Sequence, residues 1–254
     1  MSSRVPRFAE DSVLRRIYRE NVLFLGGGRA LLLQLAHPDV ARGVTEHSSF
    51  EEDPFSRLRR TITVVDAIVF GDDDDADRAA DGLRRVHHFV TGPGYEANDP
   101  ALLFWVHATL VDTGMRIYNG FVAPLSDADR ERAHADAITL AEVFGVPRTD
   151  QPATYADFRA YMRSMVATLE VTDTARAVAR SVLHPRLPAI TSPALELVRQ
   201  VTVGLLPRPI REQYGFRWDA RRKAALHAAA LASRVAHPLL PRALRWGDAL
   251  SLPG

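Results

Sequence analysis

The chain contains no cysteine. That absence removes disulfides, thiolate nucleophiles, iron–sulfur clusters, thiolate-ligated haem and cysteine-containing zinc sites together. Charge of one sign is not in excess either. The 32 basic and 31 acidic residues leave a net charge of +1, so no bulk cationic surface recommends a nucleic-acid partner. Long hydrophobic runs are missing. The longest, ALLFWVHATLV, holds His107 in its interior and reads as a buried helix, so no membrane span is expected. The first residues, MSSRVPRFAEDSVLRRIYRENVLF, show no apolar core beside a small-residue cleavage site. With no disulfides to need an oxidising compartment, the expected location is the cytoplasm.

Several catalytic signatures are absent as well. No G-x-S-x-G elbow, no H-E-x-x-H and no paired Glu-x-x-His set of a di-iron bundle occurs. The Asp72–Asp75 run lacks the alternating spacing and glycine of a calcium loop, and reads as the acidic first turn of a helix. Internal repeats and strand-like alternation are missing too.

Helix signals fill the space. Asp53-Pro54, Asp99-Pro100 and Ser192-Pro193 each place an N-cap residue before a first-turn proline. Ser126 and Thr154 have acids three residues on, as short capping boxes require. Gly71, Gly92 and Gly145 sit where helices should stop. The patterning predicts helices over 10–24, 28–44, 54–70, 73–91, 100–121, 127–144, 155–170, 172–184, 193–206 and 218–236. With 46% hydrophobic residues and short connections, the expected fold is all-α. One large domain of about ten helices is expected over 1–254. The helices of 154–254 should pack on the same core as the rest.

Between residues 26 and 113, polar residues interrupt these apolar helices. Gly26-Gly27-Gly28 opens one of them. Three readings stand: an anion site at a helix N-terminus, a close backbone approach, or a surface for a flat ligand. No strand precedes it, so the dinucleotide fingerprint does not apply. Arg57 and Thr61 share a helix face at the i, i+4 spacing, beside Leu58, Ile62 and Val65. His87 lies with Leu83, Val86 and Val90 on the apolar side of its helix, and His88 with Arg84 nearer the polar side. His107 falls in an apolar stripe with Leu103 and Val111, as a ligand or as a satisfied core histidine. His37 precedes Pro38 and ends or kinks its helix. Glu46-His47 reads as loop. His134, His184, His227 and His237 are dispersed and read as structural or surface residues. An imidazole at the edge of an apolar face can ligate haem iron, and periodicity alone does not choose among these.

Taken together, GGGRALLLQLAHP, VTEHSSFEEDPFSRLRRT, VFG, VHHFVTG and NDPALLFWVHATLVDT resemble the haem-dependent oxygenase family of latex-clearing protein (rubber oxygenase) and MpaB-type oxygenases. Weaker matches, PLSDADRERAHADAITLAEVFGVP and LLPRPIREQYGFRWD, extend the likeness over about residues 20–220. The resemblance implies an all-α, partly globin-like fold around haem b, with the haem-site motifs in 26–113. It implies His87 as the proximal ligand of the iron, with Arg57 and Thr61 lining the haem pocket. His37 and His107 match family positions without assigned roles, and Glu46 stands for the acidic residue proposed as a base. The implied activity is oxygenation of a substrate by O₂. The family's secreted and membrane-bound members act in other settings, so a small apolar or prenyl-like substrate is expected instead of a polymer. The alternative is a haem or small-ligand binding protein without turnover. A homo-oligomer stays open.

Overall fold

The computed structural model describes residues 6–47, 54–184 and 192–246, with backbone alone at 54–58 and 192–194. Thirteen α-helices and one minimal hairpin make up its regular structure. The fold is all-α.

The chain starts with α1 (Val13–Tyr18) and a 3₁₀ turn (Asn21–Gly26), where a single helix over 10–24 was expected. The helix expected over 28–44 is also two, α2 (Gly27–Leu35) and α3 (Pro38–His47). Pro38 has no N–H to continue the ladder and is accepted only as the first residue of a new helix. Next come α4 (Pro54–Phe70) and α5 (Asp73–His88), joined through Gly71 and Asp72. Asp72 caps α5 in a reciprocal box with Asp75. The acidic run therefore sits at a helix start, where the dipole favours it.

Beyond α5, β1 (Thr91–Gly92) and β2 (Tyr95–Glu96) pair antiparallel. Sequence patterning gave no sign of them, because two-residue strands are too short to alternate. Gly94, at φ +84°, makes the reversal that an L side chain resists. Then α6 (Pro100–Ile117) starts on Asp99, whose Oδ1 accepts from the Ala101 amide at 2.7 Å. A π turn (Tyr118–Val122) ends it. The Ser126 capping box starts α7 (Asp127–Val143), and Gly145 at φ +98° follows its end. Thr154 caps α8 (Tyr155–Thr168) and Thr172 caps α9 (Asp173–Leu183). Finally come α10 (Ser192–Leu205), α11 (Arg208–Gln213), α12 (Ala220–Ala236) and α13 (Arg242–Arg245). The short α11 and α13 have too few turns to show a period and were not expected. The Asp53 cap lies outside the described residues, and no side chain is described at Ser192.

The core is built around α2. It touches α3, α6, α9 and α10, and its Leu32, Leu33 and Leu35 are fully buried. Each such side chain contributes about 1.5–3 kcal/mol of burial. The three-glycine run is explained by these crossings. A Cβ on Gly26 would lie 2.6 Å from Thr113 Cγ2 of α6, and one on Gly28 would lie 2.4 Å from Thr202 Oγ1 of α10. Of the three readings of the run, close backbone approach is the one the geometry shows at Gly26 and Gly28. A second cluster joins α1, α4, α5 and α7 through Leu14, Ile68, Ala76 and Leu140. A third, of Ile117, Phe121, Val201 and Leu226, seats α12.

Candidate active site

A cavity of about 440 Å³ opens between α1, the 3₁₀ turn, α4 and α6. Its size is that of small-molecule sites, which run roughly 300–1,000 Å³. Phe24, Ile62, Val65, Phe70 and Leu110 make the wall apolar, and Gly26 and Gly27 form part of its floor. Polar atoms enter it from Tyr18, Thr61, Asp66 and Thr113. Asp66 makes no hydrogen bond or ion pair with a described residue. Burial pushes its carboxyl up to about 6, because the charged form loses hydration without gaining a partner. Burial likewise raises the Tyr18 phenol, which stays protonated.

One wall is held by a buried ion network. Arg29, only 1% exposed, sends Nη2 to Asp112 Oδ2 at 2.6 Å and Nε to the Leu205 carbonyl at 2.8 Å. Its Nη1 donates to Thr113 Oγ1. Arg116 Nε reaches the same Asp112 oxygen at 2.8 Å. Burial alone would raise the Asp112 carboxyl, but the two guanidinium charges hold it below the usual range. Charges this deep persist only when paired and fully bonded, so Thr113 is fixed on the cavity wall by its neighbours.

The outer wall comes from the far end of the chain. Trp246 lines the cavity and lies 4.4 Å from the Arg19 guanidinium. Buried Glu20 accepts from His237 Nε2 at 2.8 Å and from Trp246 Nε1 at 3.3 Å. Asn21 Nδ2 donates to the carbonyls of Leu244 and Trp246.

The residues singled out from sequence are distributed unevenly about this cavity. Thr61 is on its wall. Arg57 stands one turn earlier on α4 by its backbone, and its side chain lies outside the description. His87 is half-buried in the last turn of α5, on the stripe of Ala76, Ala80 and Leu83. Val86, expected on that face, is instead 60% exposed. α4 and α5 pack together across the short Gly71–Asp72 connection, and Arg57 and His87 each lie at the end of their helix remote from it in sequence. His87 is not among the residues described on the cavity wall.

The other candidates are elsewhere. Glu46 is exposed at the end of α3, which extends through the Glu46-His47 pair expected to be loop. Its Oε2 accepts from the Tyr95 hydroxyl at 2.7 Å. His37 sits half-buried at the α2–α3 junction, its buried Nδ1 without a hydrogen bond, and burial lowers its pKa. His107 is buried between Phe104 and Phe144 and bonds the Ala137 backbone. Burial pulls it down to about 4, so it is neutral at ordinary pH. Of the histidines read as dispersed, His134 and His237 are buried and bonded.

Arg29, Asp112, Asp66, Glu20 and Trp246 were not singled out from sequence. The available signal was a charge inside an apolar run: Arg29 in GGRALLL, Asp66 in TVVDAIVF, Asp112 in ATLVDTGM. A charge there must find a partner or shift its pKa.

Residues 14–235 match the family described as ER-bound oxygenase mpaB/B'/rubber oxygenase, catalytic domain.

The chain belongs to this oxygenase family.

Two relatives are uncharacterised proteins of Mycobacterium bovis and Mycobacterium tuberculosis. Each is 25% identical over 225 residues, covering 83% of this chain and 87% of the relative. No solved structure matches the chain at a significant level.

Proposed function

We propose that this protein is a haem b-dependent oxygenase that holds a small apolar or prenyl-like substrate in the cavity beside α4. The observation that carries the reading is the placement of Thr61 on an apolar cavity wall, on the helix hairpin that also bears Arg57 and His87. Family membership supports the oxygenase chemistry.

A single imidazole at His87 suits haem. Among the described residues no cluster of three His, Asp or Glu could hold an ion. A porphyrin supplies most of the iron's ligands itself and would need one imidazole from the protein. His87 is the residue for that role, half-buried at a helix end where the chain turns away. Haem, when bound, would supply the activation of O₂. Arg57 would pair with a propionate carboxylate. Thr61 would offer a hydroxyl at the wall to orient substrate. The apolar side chains would exclude water and position an alkene by shape. Asp66, with its raised pKa, could hold or release a proton at the cavity near pH 6. Glu46, His37 and His107 lie off the cavity, so their parts in this reading are indirect. No helix among the described residues is long and apolar enough to cross a membrane. With no cysteine to protect, a cytoplasmic setting suits the proposal.

The test is the visible spectrum of the full chain expressed with ample haem, with a pyridine haemochrome assay. The expected result is a Soret band and about one haem per chain, retained by His107→Ala and lost in His87→Ala. Folded protein without haem would overturn the cofactor assignment. A haem-loaded protein that consumes no O₂ with any alkene would favour a binding role without turnover.

A further inference from the structure

From Ala220 to Trp246 the chain carries none of its 31 acidic residues. The same stretch has six cationic ones: Arg221, Arg222, Lys223, Arg234, Arg242 and Arg245. In a protein of net charge +1 this is a strong local asymmetry. It coincides with a second one. Eight large hydrophobic side chains are exposed among the described residues, and five belong here: Leu231, Val235, Leu239, Leu240 and Leu244. Leu239 is 81% exposed.

Helix geometry shows why this surface lacks a cover. One face of α12 is docked: Leu226 packs with Phe121 and Val201, and Ser233 Oγ donates to the Phe121 carbonyl at 2.8 Å. The opposite stripe runs Ala224, Ala228, Leu231, Val235, at the spacing of one helix face. All four are exposed. The exposed apolar run continues past the helix through Leu239, Leu240 and Leu244. Removing such a stripe from water is favourable, and the cations set which partner can do it.

We propose that the α12–α13 segment is a docking surface for an anionic lipid bilayer, lying in the interface without crossing it. An apolar stripe beside Arg and Lys complements negative headgroups over an acyl layer, although Arg222 also meets Asp219, just outside the stretch, at 3.8 Å. A second copy of the chain complements it poorly, because a two-fold interface would set this acid-free stretch against itself. Trp246, at the end of the segment, also lines the cavity, so one piece of chain carries both the docking surface and a cavity wall. The docking stands independently of the oxygenase reading.

Flotation of the full chain with vesicles tests it. Phosphatidylcholine vesicles containing phosphatidylglycerol should carry the protein upward, and those of phosphatidylcholine alone should not. Raised salt should weaken the binding. Arg221→Glu with Lys223→Glu should lower partitioning by at least about tenfold, and Leu231→Ser with Leu239→Ser and Leu244→Ser should do the same. Arg159→Glu with Arg163→Glu, exposed on α8, should leave it unchanged. All these positions are exposed, and circular dichroism checks that each variant folds. The proposal is overturned if the protein stays down with anionic vesicles or binds both lipids equally. It is also overturned if the α8 pair matters as much as the α12 pair. Sedimentation showing a dimer that the serine variant dissociates, without vesicle binding, would assign the surface to a second copy instead.

Discussion

α6 and α12 both carry apolar residues around most of their circumference, and the fold treats them oppositely. α6 is enclosed: Leu103, Trp105, Ala108, Val111 and Met115 are all buried, and three of its polar groups are answered inside, while the buried Trp105 indole N–H has no hydrogen-bond partner. Asp112 meets Arg29, His107 meets the Ala137 backbone, and Thr109 Oγ1 accepts from Gln34 Nε2 at 3.1 Å. α12 is covered along one face only. Arg222 and Arg234 find backbone carbonyls at the edge, those of Arg217 and Asn119, while Leu231 and Val235 face outward. In α6 burial forces charged atoms to pair. In α12 exposure leaves apolar atoms without a partner.

The largest expected effect lies in α6's network. Arg29→Met should cost about 3 kcal/mol, the lower end for breaking a buried ion pair, because Arg116 stays bonded to Asp112. Adding Asp112→Leu should recover much of the loss in chemical denaturation. No recovery would mean that packing, not the stranded carboxylate, sets the cost.

His107 should give α6 a pH dependence. Its ordinary value of 6.5 falls to about 4 in the folded chain. The unfolded chain therefore binds the extra proton first as pH drops. The stabilisation is fully present above 6.5 and is lost as pH falls through 4. The loss should approach about 3 kcal/mol for a fully buried group. His107→Gln should flatten the stability profile between pH 6.5 and 4. An unchanged profile would place the acid sensitivity elsewhere.

Gly26→Ala tests how closely α2's start presses on α6. The new methyl would meet Thr113 Cγ2 at 2.6 Å and Ile117 Cγ1 at 2.9 Å, an overpacking cost of about 1–3 kcal/mol. Thr113→Ser keeps the hydroxyl for Arg29 and removes the clashing methyl, so the double variant should be more stable than the sum of the single changes predicts.

The smallest effect belongs to α12. Leu231→Ser with Val235→Ser should change stability in water by no more than about 0.5 kcal/mol, as expected for exposed positions. A larger loss in the isolated protein would show that these side chains are already covered.

Much of the fold was legible because helix periods and caps are local. Ser126, Thr154 and Asp99 cap the helices that their spacing marks, since an N-cap contacts amides only two or three residues away. The breaks at Arg19 and His37 and the short α11 and α13 were less legible, because continuous apolar patterning can span two helices and a single turn has no period. Of the cavity wall, Thr61 belongs to a motif marked in the sequence. Arg29, Asp112 and Glu20 were not, because each is bonded across large sequence separations.

By itself the sequence determined the all-α class, most of the capped helix starts, the exclusion of thiol chemistry and the family of the chain, all of which follow from residue type and short spacing. Only the tertiary structure decided which polar residues meet. It closed the cavity with Trp246 from the C-terminal segment, paired Arg29 with Asp112, and left one face of α12 in water. The reason is physical: a helix pattern specifies that a face is apolar, and the packing of distant segments specifies what, if anything, covers it.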